Sequence, residues 1–356
     1  MTVVLDRVEE SVRTLNPGYF AIVMASGIIS VGMKLGGFDL ISVLLLIVCG
    51  AAYTTLVVLT VWRMVAYRRE VVDDLTDASR GFGFFTFIAG TDVFGVRLAM
   101  DGHHTATAVL LTVAALTWIV LGYVVPWTAV LGTSERPVVA RANGTWFIWV
   151  VAAQSVAVAA ATLEPTYDGA RRFLAVVAVF SWSVGVFLYG AAGIFVAARM
   201  MLYPLRPRDL TAPYWVSMGA CAITVLAGAR IVEMEDAPMV NATRGLIGGL
   251  AVVFWAFATW LIPVLVAAGW WRHVANKVPL RYDATVWSIV FPLGMYAVAG
   301  IYLGRADHLP LVGIVGSAEL WCAFTVWCVA FVVMVVHLWR SVVHVGPATV
   351  KTQENA

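Results

Sequence analysis

The chain reads as an all-α polytopic membrane protein: ten transmembrane helices forming five helical hairpins in a quasi-fivefold arrangement around a central pore. Three observations predict this. Hydrophobic residues make up 61% of its 356 residues and charged residues only 12%, about half the charge of a soluble chain. Ten apolar stretches follow one another, and a helix needs roughly 20 such residues to cross a bilayer core of ~30 Å. The stretches also alternate between two kinds.

The first, residues 17–33, is short and carries Ser26, Gly27 and Ser30, whereas 40–61 is a nearly uniform apolar run. The third, 81–100, holds Gly90, Thr91, Asp92 and Arg97, and 105–130 is again plain. Residues 144–163 contain Gln154 and Ser155 and are followed by the plain run 173–198. Residues 213–232 open with Pro213 and close near Arg230, ahead of 246–271. The ninth, 286–303, carries Pro292 and Gly294, and 311–339 completes the set. Lipid leaves no backbone group unsatisfied, so interrupted segments belong where protein or a water-filled cavity surrounds them. Five plain helices shielding five interrupted ones is what a transport path requires. The starts of the interrupted segments recur every 63 to 73 residues, as expected of parallel repeats that bring discontinuous helices to one axis. The domain reading is residues 17–340 as the transport domain, flanked by cytoplasmic segments 1–16 and 341–356.

Charge fixes the expected orientation. Of the 23 Lys and Arg, seven (Lys34, Arg97, Arg171, Arg172, Arg230, Arg244 and Arg305) fall on the side away from both termini, leaving sixteen with them. Cationic loops stay in the cytoplasm, so both termini are expected there, in a cell membrane crossed many times. The first 16 residues mix charges of both signs, without the short apolar core of a cleaved signal. Net charge is +2 with no basic block, which gives nucleic acid nothing to bind. The four cysteines lie inside apolar spans without metal-ligand spacing and read as small buried side chains. No Ser–His dyad or His/Asp cluster sits at matching depth, so an enzyme is not expected, and neither is a cofactor.

Within the repeats an aromatic residue precedes a small one by seven positions: Phe20 and Gly27, Trp146 and Ala153, Trp215 and Ala222, Trp287 and Gly294. Gly83 precedes Gly90 without the aromatic. Seven residues are two turns, so both members share a face. Close helix packing through small residues is the alternative reading. Four residues past the aromatic position stand Met24, Phe87, Val150, Gly219 and Phe291, a candidate ring of mostly bulky groups at mid-membrane. Pro292 removes an N–H and crowds the preceding turn, so a kink is expected beside Phe291. Hydrophobic constrictions are a known gating device.

Residues 16–30 (NPGYFAIVMASGIIS), 83–95, 143–155 and 287–297 (WSIVFPLGMYA) resemble the tellurite-resistance/dicarboxylate transporter family. That family includes slow-type anion channels of plant guard cells, yeast malate carriers and fungal sulfite exporters. The resemblance spans all ten stretches. It implies odd helices lining a pore through each protomer, a homotrimer in the lipid bilayer, and Phe291 as the residue that occludes the pore. It also implies a small anion as cargo, either a C4-dicarboxylate such as malate or an inorganic monovalent ion. Proton-coupled export of dicarboxylate or sulfite, or a tellurite-resistance role, is the alternative.

The chain departs from that pattern at Asp92 and Arg97. A mid-membrane charge costs ~2.5–3.5 kcal/mol on insertion scales. Asp92 is therefore expected to pair with Arg97 or Arg230, to carry a proton in a coupling role, or to be solvated at the outer mouth. Arg97 is expected to snorkel outward. Arg230 reads as the partner of Glu233 at the outer interface or as part of an anion-attracting vestibule. Ser26, Ser30, Gln154 and Ser155 are neutral hydrogen-bonding groups that suit either an anion path or helix packing. Asn143 and Asn241 each read as the cap that starts the following helix.

Overall fold

The structure is a computed structural model, and it describes residues 2–132, 136–235 and 237–340, with side chains from residue 7 onward. The expected cytoplasmic tail 341–356 lies outside the described residues. A helix α1 (Thr2–Arg13) precedes the membrane region and is held to it where Arg63 Nε donates to the Arg13 carbonyl, 3.0 Å away.

Five hairpins follow. They are α2 (Ala21–Leu35) with α3 (Asp39–Ala66), then, beyond the connecting helix α4 (Arg68–Thr76), α5 (Phe85–Ala99) with α6 (His104–Val125). Next come α7 (Phe147–Leu163) with α8 (Arg171–Leu202), α9 (Val216–Val232) with α10 (Pro238–Trp270), and α11 (Trp287–Ala306) with α12 (Pro310–Leu338). All ten helical spans are long and apolar enough to cross a membrane. The first member of each hairpin packs against two others, in the order α2–α5–α7–α9–α11 and back to α2. The alternation seen in composition is therefore one of position. Between 72% and 89% of each inner span is buried by protein, against 17% to 39% of each outer one.

The interruptions turn out to be compositional. Each inner segment starts with a short 3-10 turn (Pro17–Phe20, Gly81–Phe84, Gly144–Trp146, Ala212–Trp215, Ala284–Val286). It then runs as one unbroken α-helix, Pro292 included. The discontinuous helices expected from the sequence are thus corrected to continuous helices with irregular starts. Three of those starts share a cap: Asn16, Asn143 and Asp283 each accept from the backbone N–H two residues on, at 2.8 Å. Such caps satisfy donors that the first turn leaves without partners. Asn241 is not one, because α10 begins at Pro238 and Asn241 instead accepts from Arg244, 3.0 Å away.

Small residues let backbones approach. A β-carbon on Gly316 of α12 would lie 2.6 Å from the Ala297 carbonyl oxygen of α11, so the last hairpin closes backbone to backbone. Two cysteines depart from expectation: Cys322 is exposed and Cys328 half-buried on α12, while Cys49 and Cys221 are buried. On an outer helix, exposure is to lipid, where a thiol is an acceptable small apolar group.

Candidate functional site

Two cavities lie along the axis of the inner ring. The first, a vestibule of about 840 Å3, opens where the inner helices begin and is bordered by all five starting turns, including Gly18, Gly83, Thr145, Pro213 and Thr285. Helix N-termini present unpaired N–H groups and the positive end of the macrodipole, and five of them face this space. Arg80, Arg272 and Arg281 stand at its rim. Arg80 is tied to Asp74 at 2.9 Å, and Arg272 donates to the carbonyls of Arg208 and Leu210, each at 2.9 Å. The vestibule thus gathers five helix starts and three arginines, with Asp283 as the carboxylate among its lining residues.

The second is a narrow cavity of about 20 Å3 toward the C-terminal ends of the inner helices, and every inner helix contributes to it: Ile28, Asp92, Ser155, Arg230 and Met295 among them. Most of its wall is aliphatic. Among the described residues Arg230 is its one cationic lining residue; its Nη1 donates to Glu233 at 3.0 Å, and its guanidinium sits 5.4 Å from the Tyr302 ring centre. The expected local pair with Glu233 is formed, and it stands on the cavity wall.

Between the cavities the axis is filled. Phe291 is three residues past Ser288, which borders the vestibule, and four before Met295, which borders the second cavity. Residues three or four apart share a helix face, so Phe291 faces the axis, and it is 1% exposed. The same spacing places Met24 below Ile28 on α2 and Gly219 between Trp215 and Ile223 on α9. Phe87 follows Gly83 of the vestibule by four residues but does not continue to the second cavity. Phe87 precedes Asp92 by five residues, a rotation of roughly 140° off that face, and its ring stacks on Tyr53 of α3. Ala89, three and four residues before Asp92 and Val93, takes the axial position on α5. Likewise Val150 is displaced by Val151, which lies between Ile148 of the vestibule and Ser155 of the second cavity. The join is thus formed by Met24, Ala89, Val151, Gly219 and Phe291, and only Met24 and Phe291 are bulky.

The small residues serve packing as well as the path. A β-carbon on Gly219 would come within 2.9 Å of Pro292, one on Gly294 within 2.8 Å of Ile29, and one on Gly27 within 2.7 Å of Val93. Gly90 meets the Phe20 carbonyl and Val23 at 3.4 Å. These contacts set inner helix against inner helix.

Several polar residues point away from the axis. Ser26 accepts from Trp327 Nε1 of α12 at 2.9 Å, and Gln154 donates to the Trp182 carbonyl of α8 at 3.1 Å. Ser30 and Ser42 exchange hydroxyl-to-carbonyl bonds at 2.7 Å, tying α2 to α3. Arg97 does not snorkel. It is wholly buried, with Nε donating to Ser30 and Ser42 at 2.8 and 3.0 Å and Nη1 to Asp101 at 2.8 Å. Burial alone would raise the Asp101 carboxyl, but Arg97 and Lys34 outweigh it and hold the group below the ordinary carboxylate value.

Asp92 stands apart. It is 1% exposed, so it is not solvated at a mouth, and among the described residues no cation lies within ion-pair distance. Neither Arg97 nor Arg230 pairs with it. Its Oδ2 accepts from Ser155 Oγ at 2.8 Å, and Oδ1 has no partner. The sequence located this carboxyl group, but the expected cation partner is replaced by one hydroxyl at the wall of a cavity.

The profile of the voltage-dependent anion channel family matches residues 14–335. An uncharacterized membrane protein of Mycobacterium tuberculosis is 63% identical over 153 residues, covering 43% of this chain and 78% of its own. Two uncharacterized transporters of Methanocaldococcus jannaschii are 22% and 21% identical over 331 and 330 residues. These alignments cover 90% of this chain and 92% and 94% of theirs.

Proposed function

This chain belongs to the voltage-dependent anion channel family, and from that premise we propose that small anions cross along the axis of the inner ring, past a gate formed by Phe291. It is a multi-pass membrane transport protein for anions rather than an enzyme. The observation that carries the finer reading is the filled join between two axial cavities, with Phe291 as its largest side chain. The five helix starts collect anions in the vestibule, and the apolar second cavity binds them weakly enough to let them go. We place the vestibule in the cytoplasm of a plasma-membrane protein, on the strength of the Lys and Arg bias. The chain is proposed to assemble as a homotrimer.

For the cargo, an inorganic monovalent anion suits the second cavity better than malate. Its single cationic lining residue already shares charge with Glu233, and a dicarboxylate would leave one charge unmatched. Malate remains the competitor to test alongside. The test is the reversal potential of purified protein in planar bilayers under a potassium chloride gradient. A value near the chloride equilibrium potential supports the reading. A value near that of potassium, or no current from either the native chain or Phe291→Ala, overturns it.

Arg230→Gln tests the electrostatic part. Removing a wall charge lowers the local anion concentration, so chloride flux should fall by a factor of a few at low salt. At high ionic strength the deficit should shrink as screening shortens to a few ångströms. An equal deficit at both salt levels would make Arg230 a packing residue.

A further inference from the structure

We propose that Asp92 is a combined proton and anion site: its protonated carboxyl donates a hydrogen bond to the passing anion, and its ionised form closes the path. This inference deepens the anion-transport reading and rests on it. Ligands of the site are a proton and a small anion that accepts one hydrogen bond, such as chloride or nitrate.

The geometry is specific. Asp92 lines the narrow second cavity that follows the Phe291 join, together with residues from all five inner helices. An anion on the axis passes close to its side chain, because the cavity is only about 20 Å3. Ser155 occupies Oδ2 and leaves Oδ1 unpartnered and buried. As a carboxylate, Asp92 would put an uncompensated negative charge beside the path, repelling cargo of the same sign. With a proton on Oδ1, the same group is neutral and becomes a donor. One proton therefore turns a barrier into a binding contact, with no movement of the backbone.

Most other titratable and charged groups around α5 are engaged elsewhere, although among the described residues Arg97 Nη2 has no partner. On α5 itself, Arg97 is held by Ser30, Ser42 and Asp101. From α2, Lys34 pairs with Asp39 and Asp101, at 2.8 and 3.4 Å. From α3, Cys49 donates to the Val23 carbonyl, and Tyr53 accepts from Thr91. Glu164 at the end of α7 faces Arg171 at 3.1 Å. Arg230 of α9 is paired with Glu233 and lies over Tyr302 of α11. Near α5, His104 at the start of α6 carries a buried Nδ1 without a partner, and it is the rival source of any pH response.

The experiment is chloride and nitrate flux in proteoliposomes of the full chain, measured from acid to mildly alkaline pH, equal on both sides. Native flux should rise as pH falls. Asp92→Asn supplies a permanently neutral donor, so its flux should be high and independent of pH. Ser155→Ala removes the hydroxyl that supports the ionised form, and its half-maximal pH should move upward. Native flux that ignores pH overturns the proposal, as does Asp92→Asn that keeps the native profile, which would point to His104. If Asp92→Asn fails to fold, an unmoved midpoint in Ser155→Ala overturns it equally. Flux absent from the native chain and every variant would instead bring down the anion reading, and this inference with it. Flux that persists but is flat in pH leaves that reading standing and removes this one.

Discussion

Phe291→Ala should raise chloride current by about tenfold or more, equivalent to lowering the barrier by about 1.4 kcal/mol for each factor of ten. The ring fills the axis between two cavities that otherwise approach each other closely along α11, at Ser288 and Met295. Its neighbours at that level include Ala89 and Gly219, which are too small to close the space once the ring is gone. Truncating a buried phenylalanine also destabilises, typically by about 3–5 kcal/mol, so a series separates the two effects. Along Phe, Leu, Val and Ala, current should climb as side-chain volume falls, while melting temperature in detergent declines in parallel. Current that stays flat while stability falls would make Phe291 an ordinary core residue. Met24→Ala, across the axis on α2, should give a smaller increase, because its flexible chain blocks less than a rigid ring.

Gly144→Ala should be the most damaging of the small substitutions to stability. A β-carbon there would fall on the carbonyl group of Pro213 and the nitrogen of Tyr214, which are backbone atoms of the next repeat. A side chain can swing away from an added methyl; a backbone cannot. The starting turns of α7 and α9 would have to separate, opening the rim of the vestibule at a cost of about 1–3 kcal/mol or more. Gly190→Ala in the middle of α8 is the control, since a β-carbon there meets nothing within 4 Å. It should change stability by less than about 0.5 kcal/mol. Thermal melting of the purified protein, followed by size-exclusion fluorescence, compares the two. Equal melting points would mean that the close approach of the two turns is not what holds them.

Much of this architecture was legible from composition, because burial in a bilayer is written locally. A plain run such as 40–61 can face lipid along its length, whereas 144–163, with Gln154 and Ser155, cannot. Inner and outer positions followed from that alone, and the packing order of the inner helices agrees with it. Asn143 was legible as a cap for a similar reason, since a cap is a contact between residues two apart.

What composition could not determine was how each inner helix is turned about its own axis. One residue along a helix is roughly 100° of rotation, so an alignment of repeats that slips by one or two positions sends the wrong side chain to the path. Phe87 and Val150 were assigned by counting from an aromatic that the second repeat lacks and that the third has in two adjacent positions, Trp146 and Phe147. Counting along each helix from the residues that line the cavities puts Ala89 and Val151 at that level instead. The same limit applies to Asp92 and Arg97. Their presence in a span marked both as unusual, but their partners lie on other helices. Ser30 and Ser42 hold Arg97 across the first hairpin, and Ser155 of the third repeat is the one hydroxyl that reaches Asp92. The sequence by itself determined the number, order and inner or outer place of the helices, because hydropathy acts residue by residue. The tertiary structure decided which faces meet the path and which charges stand alone, because those depend on helix rotation and on contacts between residues far apart in the chain.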